Sequence, residues 1–154
     1  DGMIKLLGLE ALADKNPFAL SGGQKQRVAL AAVLVTDPDI VILDEPTSQL
    51  DPKGTEDIFD IIGLLKKQGK TIILVEHKID LIAQYCDRVL LLDDGRLVMN
   101  GTAHDVLTDS TVLEHGGQLP QVARYYLERN ERFGRHDPIP LTVDEAIAQE
   151  RKGR

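Results

Sequence analysis

Two short aliphatic runs, Ile40-Val41-Ile42-Leu43 and Thr71-Ile72-Ile73-Leu74-Val75, constrain this chain more than any other feature. Each is too short for a helix, and each is apolar at successive positions. That pattern suits a strand buried on both faces, as in a parallel sheet. Between them Ile58, Ile61, Ile62 and Leu65 recur at helical spacing over residues 53–68, and Gly69 closes the segment. Upstream, dense apolar positions end at Thr36-Asp37-Pro38, and proline disfavours helix in the residue before it. A helix is expected there over about 23–35. Downstream, helix signals return at Ile79 to Tyr85 and a strand at Arg88 to Leu92. Asp93-Asp94-Gly95 reads as a turn from which Arg96 to Met99 can pair back as a hairpin arm. Strand and helix in alternation predict an α/β fold with a mostly parallel sheet. Right-handed crossovers are expected to keep consecutive strands in one sheet.

After Gly101 the texture changes. A short helix is expected at Ala103 to Leu107, a break at Gly116-Gly117, and a polar helix at Val122 to Arg132. Asp137 to Pro140 reads as a stiff linker, and Thr142 with Glu145 as a capping box for a last helix over 143–151. The 154 residues suffice for a core without staples. A formal charge of −7 argues against bulk nucleic-acid binding, which needs a basic face. Cys86 is the only cysteine, which excludes a disulfide framework and favours a reducing compartment. The longest apolar run, Val28 to Val35, falls well short of the roughly 20 residues of a membrane span, so no direct span is expected.

Three elements carry chemistry. Asp44-Glu45 ends the first strand, and in open α/β sheets ligands sit beyond the carboxyl ends of the strands. Successive side chains diverge there, so Asp44 can hold a hard cation through water while Glu45 faces a reacting centre. Taken alone, the dipeptide reads more simply as two acids opening a polar loop. His77 leaves the second strand at the equivalent end, where an imidazole can hydrogen-bond a phosphate oxygen or a water. Alone, it too reads as a solvated loop residue. Ser21-Gly22-Gly23-Gln24 opens the first helix: Ser21 and Gln24 form a capping box, and the two glycines leave backbone N–H groups open to an anion. His104, His115 and His136 fall in no metal-ligand spacing.

Taken together these elements form an ordered set. LSGGQKQR at 20–27, IVILDEP at 40–46, SQLDP at 48–52 and VEH at 75–77 strongly resemble the ATP-binding cassette of ABC transporters. The resemblance spans Ala19 to about Gly101. It implies the C-terminal part of a P-loop NTPase (RecA-like) cassette, with the signature helix near its start and a small helical C-terminal extension. It also implies roles. Asp44 would help hold Mg²⁺, Glu45 would polarise the attacking water, and His77 would contact the γ-phosphate of ATP. Ser21, Gly22, Gly23 and Gln24 would cap ATP bound to the opposite subunit of a dimer, and Asp51 would couple the two sites.

One departure is large. No G-x-x-x-x-G-K-[ST] loop occurs in the 154 residues, although that loop cradles the β- and γ-phosphates in the family. The chain is therefore expected to be a fragment of a cassette and inactive alone. Residues 1–108 are expected to form the partial ATPase domain and 109–154 the extension. QLPQVA at 118–123 and IPLTVDEA at 139–146 resemble the C-terminal extension of energy-coupling-factor ATPases, which serve vitamin and transition-metal uptake. Gln49, Glu76 and Lys78-Ile79-Asp80 fit the same group. Implied partners are a second ATPase subunit or cassette and membrane-embedded transporter subunits, with the chain cytoplasmic at the inner face of the membrane. Two alternatives stand beside this reading: a non-catalytic module lending its signature to a partner's ATP, and a soluble ABC ATPase outside transport.

Overall fold

The fold is seen in a computed structural model that describes residues 4–5, 7–48 and 50–152. The chain divides into two compact units, Asp1–His77 and Lys78–Arg154. In the first, 3-10 turns at Glu10–Leu12 and Pro17–Ala19 precede helix α1 (Gly22–Leu34), strand β1 (Ile40–Asp44), helix α2 (Pro52–Lys67) and strand β2 (Thr71–Val75). β1 and β2 pair in parallel, from Ile40 opposite Thr71 to Asp44 opposite Val75. Parallel strands need a crossover of a dozen or more residues, and α2 supplies it. The helix turns Thr55, Ile58, Phe59, Ile61, Ile62 and Leu65 inwards. Ile58 and Phe59 have no exposed surface, and Val41 of β1 keeps only 1%. Lys66 and Lys67 occupy the last turn of α2, where positive charge suits the helix dipole.

Within this unit, the described residues cover only one face of the sheet, which corrects the expectation of burial on both. Ile42 remains 67% exposed, and Ile73 and Val75 each 48%. An unbroken apolar run permits burial on both faces. Whether a layer lies on each is decided by the elements around it, not by the strand. Gln49, part of the SQLDP string, lies outside the described residues.

The second unit contains α3 (Ile79–Tyr85), β3 (Arg88–Asp93), β4 (Arg96–Thr102), α4 (Ala103–Leu107), α5 (Thr111–Glu114), α6 (Gln121–Phe133) and α7 (Val143–Lys152). β3 and β4 form an antiparallel hairpin with Asp93 opposite Arg96. The turn residues Asp94 and Gly95 both have positive φ, +47° and +72°, the two-residue turn whose twist matches the flanking strands. β3 thus pairs with β4, and the described strands form two two-stranded sheets, where consecutive strands were expected to share one. A two-residue loop closes at small entropic cost, which favours the local partner.

Ala83, Ala103, Val106, Leu107, Val112, Leu119, Ala123 and Leu141 form the core of this unit. Arg129 of α6 stacks on Tyr126 at 4.2 Å and donates to Asp137 at 2.7 Å and Glu150 at 3.2 Å, tying the linker and α7 to α6. Burial, and then the neighbouring Glu150, push the Tyr126 phenol up from its ordinary range. The expected cap of α7 is half right. Thr142 Oγ1 accepts from the Glu145 N–H at 3.3 Å, but Glu145 Oε2 accepts from Leu141 N at 2.7 Å, one residue before the expected partner.

Two carboxylates of this unit are held in the charged form by hydrogen bonds. The Thr102 hydroxyl, and then its backbone N–H, hold the Asp105 carboxyl below the ordinary 3.8. Thr111 does the same for Asp109. Both groups bind protons more readily unfolded than folded, so their contribution is fully present above about pH 4 and is lost as pH falls through the folded values. Chemical denaturation between pH 5 and 2 is expected to show stability falling, and Asp105→Asn is expected to flatten part of that fall (window set by the ordinary carboxylate range, about 4).

Candidate active site

The helix opening at Ser21 is built as the sequence predicts. Ser21 Oγ accepts from Gln24 N at 3.3 Å, and Gln24 Oε1 accepts from Ser21 N at 3.0 Å. Gly22 and Gly23 form the first turn of α1. A Cβ on Gly23 would stand 3.4 Å from Leu50 Cδ2, so the start of α1 packs beside the residue that precedes Asp51. Asp51 is itself a helix cap: its Oδ1 accepts from Gly54 N at 2.7 Å, with Pro52 in the first turn of α2. The segments SGGQ and LDP, distant in sequence, thus meet at two helix N-termini.

A second group forms at the carboxyl ends of β1 and β2. Asp44, the last residue of β1, lies opposite Val75 and is exposed. Glu45 extends the pairing by one bond, its N–H donating to the Val75 carbonyl at 2.9 Å. Its backbone then turns left-handed, with φ +43°. A non-glycine residue in that region carries strain of about 1–3 kcal/mol, and such residues cluster at functional sites. Pro46 follows, and Ser48 N closes a turn by donating to the Glu45 carbonyl at 3.2 Å. This reversal places Glu45 Oε1 3.0 Å from His77 Nε2. Glu45 is 47% and His77 80% exposed, so solvent screens the contact and it adds roughly 0–1 kcal/mol.

The structure therefore brings Glu45 and His77 together beside Asp44. Among the described residues no hydrogen bond links this group to Ser21, Gly22, Gly23, Gln24 or Asp51. His104 and His115 have structural partners, the Ile139 carbonyl at 3.0 Å and Asp93 at 2.8 Å. One residue carried no sequence signal at all. Thr47 is fully buried, and its hydroxyl donates to Glu76 Oε1 at 3.1 Å. A single buried hydroxyl in a turn breaks no periodicity, and only the folded loop shows where it points.

Among the described residues no three His, Cys, Asp or Glu side chains are grouped to hold a metal ion. The donor set is one exposed carboxylate, Asp44, with Glu45 engaged by His77. That set suits Mg²⁺, which takes one or two carboxylates and completes its shell with water and substrate phosphates.

The family model described as ABC transporter matches residues 1–48. The energy-coupling factor transporter ATP-binding protein EcfA2 of Acetivibrio thermocellus is 42% identical over 146 residues, covering 93% of this chain and 52% of that protein. Among solved structures, cbiO1 from Clostridium perfringens, part of the ABC transporter complex cbiONQ, is 38% identical with a TM-score of 0.65, covering 87% of this chain and 50% of that one. The chain belongs to the ABC transporter ATPase family. A dimeric ABC cassette, MJ0796, bound to ADP and Pi is 36% identical with a TM-score of 0.60, covering 66% of this chain and 44% of that cassette. The chain spans about half the length of the relatives it matches.

The left-handed backbone of Glu45 makes a prediction independent of nucleotide. Glu45→Gly and Glu45→Ala both remove the carboxylate, but only glycine adopts positive φ without a Cβ penalty. Glu45→Gly is expected to exceed Glu45→Ala in stability by about 1 kcal/mol, read from urea unfolding of the two variants. Equal midpoints would show that Glu45 carries no backbone strain.

Proposed function

We propose that this chain is part of the ATP-hydrolysing subunit that powers uptake by a transporter of the energy-coupling-factor type. The observation that carries the reading is the Glu45 carboxylate held 3.0 Å from His77, beside Asp44, where a parallel α/β sheet presents its ligands. Phosphoryl transfer asks for positioned charge and an oriented water, with little covalent chemistry from the protein. Asp44 would contribute its carboxylate to Mg²⁺, which when bound neutralises charge on the β- and γ-phosphates. Glu45 accepts a hydrogen bond from the attacking water, and His77 donates to the γ-phosphate. Ser21, Gly22, Gly23 and Gln24, at the positive end of α1, cap the phosphates of ATP held by a partner cassette. Asp51, packed next to them through Leu50, passes the state of that contact to its own strand ends.

The identity to EcfA2 over most of the chain supports the transporter class. Residues 1–108 supply the cassette portion and 109–154 the extension. Partners are a second cassette and membrane-embedded subunits, and the chain works at the inner face of the membrane. Among the described residues no helix is long and apolar enough to cross a membrane. The phosphate-cradling loop is not among these 154 residues, so the chain alone does not turn over ATP.

The test uses the protein as its cells make it. Glu45→Gln is expected to keep ATP-dependent dimerisation and lose turnover by about 10²–10³-fold. Wild-type hydrolysis in that variant overturns the role of Glu45. Ser21→Arg fills the helix N-terminus and is expected to abolish ATP-driven dimer closure, seen by size-exclusion chromatography. Closure that persists would reduce Ser21 to a cap.

A further inference from the structure

Glu76 and His77 follow the last paired residue of β2, and consecutive side chains of an extended segment point to opposite sides. His77 faces outwards to Glu45 Oε1. Glu76 faces inwards, where its Oε1 accepts from the fully buried Thr47 at 3.1 Å. Two neighbouring residues of one strand end therefore grip two residues of one turn, Glu45 and Thr47, from opposite sides.

The grips are unequal. The outer one is exposed and weakened by solvent, whereas the inner one lies in a low-dielectric environment. The left-handed backbone of Glu45 persists only if its surroundings over-determine it, and the exposed contact is too weak to do so. The inner bond is the stronger tie. The tie to Thr47 runs through Glu76 Oε1. Glu76 Oε2 is buried and has no hydrogen-bond partner among the described residues, an arrangement that costs stability. An amide would accept the same bond from Thr47.

We propose that Glu76 is a positioning residue for ATP hydrolysis, clamping the Glu45–Ser48 turn through Thr47 so that the Glu45 carboxylate stays on the His77 side of the strand ends. The inference rests on the ATPase reading above. It adds a residue that touches neither nucleotide nor water and acts through the loop.

The test is steady-state ATPase of the protein as its cells make it, with its partner cassette. Glu76→Ala and Thr47→Val are each expected to lower kcat by about 10–10²-fold, the cost of a misplaced reacting group. KM for ATP is expected to stay within about 2-fold, since ground-state binding is untouched. Glu76→Gln and Thr47→Ser, which keep acceptor and donor, are expected to turn over near the wild-type rate. The double variant Glu76→Ala with Thr47→Val is expected to be no slower than either single, because both break one bond. Wild-type kcat in Glu76→Ala, a loss confined to KM, failure of both conservative variants, or additive losses would each overturn the clamp.

Amide hydrogen exchange gives a readout without nucleotide. The N–H groups of Ser48 and Leu50, which donate to the Glu45 and Thr47 carbonyls at 3.2 Å each, are expected to exchange faster in Thr47→Val but not in Thr47→Ser. Unchanged exchange in Thr47→Val overturns the clamp even if Glu76→Ala fails to fold. The two readings fail separately. Full turnover in Glu45→Gln removes the ATPase assignment, whereas loss in Glu45→Gln with none in Glu76→Ala removes only the clamp.

Discussion

The parallel pairing of β1 with β2 is the constraint on which the site depends. It sets Asp44 opposite Val75, so that the residues following both strands emerge at one end. The pairing is long-range, and the face of α2 centred on Ile58 and Phe59 makes it worthwhile by burying apolar surface within the same unit. Antiparallel pairing would send Glu45 and His77 to opposite ends of the sheet. The chemistry proposed for them is thus a consequence of strand direction before it is a consequence of side-chain identity.

Beyond the strand ends the chain reverses within a few residues, and hydrogen bonds hold the reversal at several points. The Glu45 N–H continues the ladder, its carbonyl closes the turn, and Thr47 is tied to Glu76 inside. The same short stretch ends in Leu50 against the start of α1 and Asp51 as the cap of α2. A strained residue, a buried hydroxyl and the cap of α2 therefore share one connected loop. A shift at the strand ends has a short mechanical path to the opening of α1 through Leu50.

Much of this was legible in the residues. The cap at Ser21, the crossover ending near Gly69, the Asp94-Gly95 turn and the helices at 79–85 and 103–107 follow from local chemistry, which acts over a few residues and leaves a readable pattern. The ordered motifs likewise marked Asp44, Glu45 and His77 as candidates. Other features were not legible. The outer face of β1 reads as buried because Ile40-Val41-Ile42-Leu43 is apolar at every position, yet Ile42 is open. The hairpin of β3 with β4 was expected from the turn at Asp94-Gly95, but the described strands form two two-stranded sheets where one was expected. Both depend on which neighbour arrives, and no strand encodes that by itself.

The sequence by itself determined most element types and the cap at Ser21, because these rest on short-range spacing, and its ordered motifs pointed to the family and marked Asp44, Glu45 and His77 as candidates. Only the tertiary structure decided that Glu45 adopts a left-handed backbone, that its carboxylate meets His77, and that Thr47 turns inwards to Glu76. Those features join residues about thirty positions apart, and a contact at that range exists only once the strands have paired and the loop between them has been forced to turn.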